Sequence, residues 1–146
     1  MIFPFIRHYD TFEYLGRGPH ENYIDRCVSA DMGLYKIKID DLFVPYLKPQ
    51  EHGQRTGITS ARIMGAEGEI AFASESEIEM NVCPYSIEQL ENALHTHELP
   101  ESDTLYVRVA LRQMGIGGYD SWGAHTLDEY KIKSGEKYSY KFSIIF

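Results

Sequence analysis

The chain has 146 residues, with 14 Lys and Arg against 22 Asp and Glu, so its formal net charge is −8. That length suits one domain, 1–146, able to bury about 70% of its unfolded surface. The acidic excess repels phosphates and excludes a nucleic-acid binder, and no stretch approaches the about 20 apolar residues of a membrane-spanning helix. The segment from Met1 to Arg7 has neither the basic start nor the apolar run of a signal peptide, so a cytoplasmic location is expected, or a periplasmic one if a signal lies upstream. Two cysteines, Cys27 and Cys83, cannot make a disulfide framework and are expected to be buried thiols. Eleven Tyr, seven Phe and one Trp favour strands and ring-facing surfaces.

Period-2 alternation dominates the chain and predicts antiparallel strands with one buried and one wet face. A short strand is predicted over Thr11 to Leu15. Tyr35, Ile37 and Ile39 then alternate with Lys36 and Lys38. Thr59 to Met64 and Glu69 to Ser74 flank Gly65-Ala66-Glu67-Gly68, a hairpin-length connection. Ile78, Met80 and Val82 form a further alternating run. Ser86-Ile87-Glu88-Gln89 reads as a capping box, and Ile87, Leu90 and Leu94 recur at helical spacing, so one short helix is expected over 87–94. Next comes a strand-like His95-Thr96-His97, then Leu105, Val107, Val109 and Leu111 on one strand face. After a turn at Lys133-Ser134-Gly135-Glu136, the run Tyr138, Tyr140, Phe142, Ile144 and Phe146 closes the chain. Short strands at this spacing predict an all-β antiparallel sandwich. The loops Gly16 to Arg26, Pro45 to Gly57 and Gly115 to His125 concentrate polar and aromatic residues, and function is sought there.

Four patterns carry chemical meaning. His95-Thr96-His97-Glu98 suggests a metal, since residues i and i+2 of a strand face the same way. In a strand Glu98 points to the opposite face and no third ligand remains, so no metal site is expected. Arg17-Gly18-Pro19-His20-Glu21-Asn22-Tyr23 lacks the spacing of a nucleotide loop and reads as a structural turn whose polar side chains hold backbone groups. No Ser or Cys stands in a nucleophile motif, and Asp40-Asp41 and Glu75-x-Glu77 read as solvated charges, so no catalytic residue is expected. In Gly115-Ile116-Gly117-Gly118-Tyr119-Asp120-Ser121-Trp122-Gly123 the glycines permit a tight turn before the only Trp. An indole there suits stacking on a sugar face, with Asp120 and Ser121 bonding hydroxyls or fixing the loop; the competing reading is a core aromatic.

At these loops the chain resembles the C-terminal domain of the large bacterial β-galactosidases of glycoside hydrolase family two. The resemblance rests on Tyr14-Leu15-Gly16-Arg17-Gly18-Pro19-His20-Glu21-Asn22-Tyr23-Ile24-Asp25-Arg26, Val44-Pro45-Tyr46-Leu47-Lys48-Pro49-Gln50-Glu51-His52-Gly53 and Arg62. It continues through His95-Thr96-His97-Glu98-Leu99-Pro100 and Arg112-Gln113-Met114-Gly115-Ile116-Gly117-Gly118-Tyr119-Asp120-Ser121-Trp122-Gly123. Ile24, His52 and Tyr119 depart from residues common in the family, where Pro, Asn and Asp are frequent.

The resemblance implies a galactose-mutarotase-like supersandwich, of which this chain corresponds to the second half, with self-association through unpaired edges as a consequence. It also implies a parent enzyme that hydrolyses terminal β-galactosides with retention, using two glutamates about 5 Å apart. In the family these glutamates and the magnesium and sodium sites lie on a barrel that nothing here matches. The expected partners are a β-galactoside or galactose and the remaining β-galactosidase domains or a large catalytic subunit. The residue at Trp122 is implied to stack on sugar at one wall of the active site. Two other readings are a free-standing carbohydrate-binding module and, from fold analogy, a mutarotase-like epimerase drawing on His20, His52, His95, His97 or Glu51.

Overall fold

Residues 1–146 are described by a computed structural model. Seven strands form one antiparallel sheet: β1 (Ile2–Ile6), β2 (Tyr9–Gly18), β3 (Asp31–Lys38), β4 (Arg55–Gly65), β5 (Gly68–Cys83), β6 (Thr104–Ala110) and β7 (Ser143–Ile145). Their order is β1-β6-β5-β4-β2-β3, with β7 also paired to β5. The alternation places one row of apolar side chains on one face. Phe12, Ile63 and Ile70 stand opposite one another across β2, β4 and β5, as do Tyr14, Ala61 and Phe72. Met80 and Val82 continue the row to Val109 and Val107 of β6. These residues belong to a single buried cluster, covered by Ile39 and Leu42 of a 3-10 turn (Ile39–Leu42) and by Tyr140, Phe142 and Ile144 near the C-terminus. The architecture is all-β and antiparallel, consistent with the expected sandwich.

The predicted runs 69–74 and 78–82 are parts of one 16-residue strand, β5. The pairing with β4 shifts register between Ser60↔Ala73 and Ile58↔Ile78. A bulge absorbs the extra residues of β5 there, and the strand stays continuous. β1 was not anticipated: its exposed Ile2 and Ile6 flank half-buried Phe3 and Phe5 on an outer strand. The hairpin at Gly65-Ala66-Glu67-Gly68 forms as expected, with Gly65 and Gly68 paired across it.

Three expectations need correction. The helix α1 spans Ile87–Asn92 and stops two residues short of Leu94. Its capping box is present, but the buried stripe runs through Leu90 and Ala93, and Leu94 is 61% exposed. His95-Thr96-His97 is no strand; a 3-10 turn occupies Thr96–Glu98. At the C-terminus only Ser143–Ile145 pairs as strand; Tyr138 and Tyr140 lie before it, with their hydroxyls donating to the Lys133 and Val109 carbonyls. Both cysteines are free; the expected burial holds for Cys83 but not for Cys27, which is only half-buried. No helix is long and apolar enough to cross a membrane.

Phe72→Ala removes the fully buried ring that meets Ala61, Ile144 and the centre of the cluster. A loss of about 3–5 kcal/mol is expected from urea denaturation followed by circular dichroism. Ser86→Ala, which removes the cap of α1, is expected to cost about 1 kcal/mol in the same measurement.

Candidate functional site

The loop from Gly115 to His125 leaves the sheet after β6 and is irregular, yet its first half is tied down at every step. The Asp25 carboxylate accepts the N–H of Ile116 at 3.1 Å, the N–H of Gly117 at 2.8 Å and the hydroxyl of Thr126 at 3.2 Å. Arg26 donates to the Gly117 carbonyl at 3.1 Å, and the Gly115 N–H donates to the Tyr130 carbonyl. Gly115 is required here by space: a Cβ would fall 2.5 Å from the Thr126 hydroxyl and 2.7 Å from the Asp25 carboxylate. Gly117 and Gly118 turn the chain at φ of +69° and +81°, a region that other residues adopt only with strain. Partial desolvation of Asp25 opposes ionisation, but the Gly117, Ile116 and Thr126 donors outweigh it and hold the carboxyl below its ordinary value.

The second half presents the Trp. Asp120 accepts from the backbone N–H of Trp122 at 2.8 Å and of Ala124 at 3.1 Å, closing a turn around Ser121. These two N–H groups, Ala124 first, lower the Asp120 pKa. Trp122 is 93% exposed, so it does not cover the core. Of the three predicted residues, Asp120 shapes the loop, Ser121 is exposed beside it, and Trp122 forms its outer surface. An indole held on a braced, solvent-facing turn offers one flat apolar face to a ring-shaped ligand.

A groove of about 400 Å³ begins at the same loop, lined by Tyr23, Tyr46, Glu51, Arg112, Gln113 and Ile116. Beside it the Glu21 carboxylate accepts from the hydroxyls of Tyr46 and Tyr23 and from the Gly53 N–H at 2.7 Å. Burial works against the Glu21 charge, but these donors lower its pKa on balance. The same contact pushes the Tyr46 phenol up to about 12. Asn22 bonds the carbonyls of Arg17 and His20 and accepts from the Thr56 N–H, so the 17–23 segment is the structural turn expected. Glu79, buried and raised in pKa by desolvation, receives Gln54 and the Gln113 N–H, which fixes the start of the loop.

Of the histidines considered for epimerase chemistry, His52 is 3% exposed with its ring edge-on to Phe43. Its burial lowers its pKa and keeps it from the groove surface. Glu51 receives the Gln113 amide. His95 precedes the 3-10 turn as its N-cap, His97 lies within it, and Glu98 is on their side, contrary to the strand-based expectation. Asp25, Arg26 and Thr126, the residues that fix the loop, were not anticipated as site residues. A single carboxylate after a turn carries no signal of a bond to residues 91 and 92 positions away.

The family model described as the β-galactosidase small chain matches residues 1–144. Curated proteins named β-galactosidase are similar over most of the chain. The one from Halalkalibacterium halodurans is 41% identical over 138 residues, covering 93% of this chain and 14% of its own length. That from Priestia megaterium is 38% identical over 145 residues, 99% of this chain and 14% of its own. That from Streptococcus thermophilus is 36% identical over 138 residues, with 93% and 14% covered. The chain therefore spans about one seventh of the length of these relatives.

Asp25→Ala leaves the Ile116 and Gly117 N–H groups without their acceptor, and a cost of about 1–3 kcal/mol is expected in urea denaturation. The Asp25 pKa is lower folded than unfolded, so its contribution is complete above the unfolded value near 4 and is lost as pH falls through the folded one. Between pH 6 and pH 3 the stability difference between wild type and Asp25→Ala is expected to shrink.

Proposed function

Because the chain belongs to the β-galactosidase small-chain family, we propose that it is the C-terminal, non-catalytic part of a retaining β-galactosidase and supplies Trp122 to a composite carbohydrate site. The observation that supports this most is the exposed indole on a loop braced by Asp25, Arg26 and Asp120. On this reading the hydrolysis of terminal β-galactosides is carried out by paired glutamates on the remaining polypeptide. That polypeptide is this chain's partner, and the magnesium and sodium ions belong to it. The chain's own work is mechanical and apolar: Asp25 fixes where the loop starts, Asp120 fixes how it turns, and Trp122 closes one side of the space that holds the sugar. Stacking there excludes water from the apolar face of the pyranose while its hydroxyls stay free for the other walls.

A carbohydrate-binding module acting alone is the second reading. It is supported by the intrachain bonds that brace the loop, with Asp25 holding the Ile116 and Gly117 N–H groups and Asp120 the Trp122 N–H. Self-association is part of the proposal too. The outer edge of β3 has no partner strand, and Leu15 and Leu34 face each other on the solvent side of β2 and β3. Such an edge pairs readily with another chain.

With the barrel-bearing polypeptide present, Trp122→Ala is expected to raise KM for a chromogenic β-galactoside by about 5- to 150-fold, equivalent to about 1–3 kcal/mol. Trp122→Phe is expected to retain part of that affinity. An unchanged KM in Trp122→Ala removes the sugar-contact role. The chain by itself is expected to release no chromophore, with or without magnesium. Galactose that quenches Trp122 fluorescence in the isolated chain would favour the module reading.

A further inference from the structure

We propose that His95, His97 and Glu98 form a surface site for a divalent transition-metal ion of the zinc class. The site follows from the 3-10 turn that replaces the expected strand. In a 3-10 turn side chains three positions apart nearly eclipse, so Glu98 comes round onto the side of His95. The Glu98 Oε1 lies 3.0 Å from the His95 Nδ1. The His97 ring stacks on that of His95 with centroids 5.5 Å apart and planes 19° apart. One ligand atom from each of the three residues lies within 4.8 Å of the others.

The donor set has the composition of a zinc site: two imidazoles and a carboxylate, with a fourth position left for water. Ligands at 2.0–2.1 Å in a tetrahedron are about 3.3 Å apart, and all three side chains are exposed, so closing from within 4.8 Å to that spacing asks for side-chain rotation of the two imidazoles toward Glu98. The backbone itself is held by two turn bonds, from the Glu98 N–H to the His95 carbonyl and from the Leu99 N–H to the Thr96 carbonyl. Glu98 is further held by the Leu94 N–H, which donates to its Oε2 at 2.8 Å and leaves Oε1 for the cluster. Borderline nitrogen ligands with one hard oxygen favour zinc, copper and nickel over magnesium and calcium, which take oxygen.

The test is zinc titration of the 146-residue chain by calorimetry, with cobalt absorption as a second readout. One zinc per chain is expected, with His95→Ala and His97→Ala each weakening binding at least tenfold and Glu98→Gln about tenfold or more. His8→Ala, at an exposed histidine elsewhere, is expected to bind as wild type does. Cobalt is expected to give intense visible bands of a four-coordinate ion, lost in the His95→Ala/His97→Ala double variant. In the unmutated chain, zinc is expected to shift the imidazole resonances of His95 and His97 together. Zinc binding equal in wild type and the double variant overturns the proposal. So does a wild-type chain in which zinc leaves both resonances unmoved.

Discussion

The length of β5 is the constraint on which the remaining architecture rests. A strand of 16 residues is longer than any one neighbour, and β5 solves this by pairing with β4 along one edge while β7 and then β6 occupy the other. The register shift opposite Ile58 and Ser60 divides the strand into two stretches. On the near side Ile70 and Phe72 face the β2 aromatics; on the far side Met80 and Val82 face β6. Both halves still contribute to one apolar cluster, so neither half of the sheet has a core of its own. The far half is also buried on its other face, where Glu79, Asn81 and Cys83 lie beneath the loops. Asn81 bonds the His52 carbonyl and Arg108, and Glu79 holds Gln54 and the Gln113 N–H. The polar side of β5 thereby positions the two loops that frame the groove.

The alternating runs made most of the sheet legible. Phe12 and Tyr14, Ala61 and Ile63, and Leu105, Val107 and Val109 follow directly from period 2, because sheet burial is a local property of every second residue. The joining of two runs into β5 was not legible. The intervening Ser74, Glu75, Ser76 and Glu77 are polar, and only a bulge keeps them in the strand. Helix α1 was legible at its start, where a capping box is a local signal, but not at its end. Leu94 satisfies the helical spacing that Ala93 in fact fulfils at the core. The Trp loop was legible through its glycines and its single indole, whereas Asp25 was not, since its bonds depend on a meeting of segments far apart in the chain.

The 95–98 segment shows how much depends on the local backbone. Read as a strand, it separates Glu98 from the two imidazoles; coiled into a 3-10 turn, it gathers all three. The residues are the same, and the chemistry available to them differs because Glu98 caps the free Leu94 N–H just beyond the helix. Helix α1 ends before Leu94, and that early end leaves the N–H free for the carboxylate.

Asp25 joins its own turn to Ile116 and Gly117 across more than ninety residues, and this has a consequence for the order in which the molecule assembles. Closing so long a loop is entropically costly, and the three hydrogen bonds of Asp25 offset only part of it. The sheet must first bring the ends of β2 and β6 together, after which the contact costs almost nothing further. The Trp loop is therefore expected to order after the sheet and to open before it. Its amides are expected to exchange with solvent through local opening, and those of β4 and β5 only when the sheet itself comes apart.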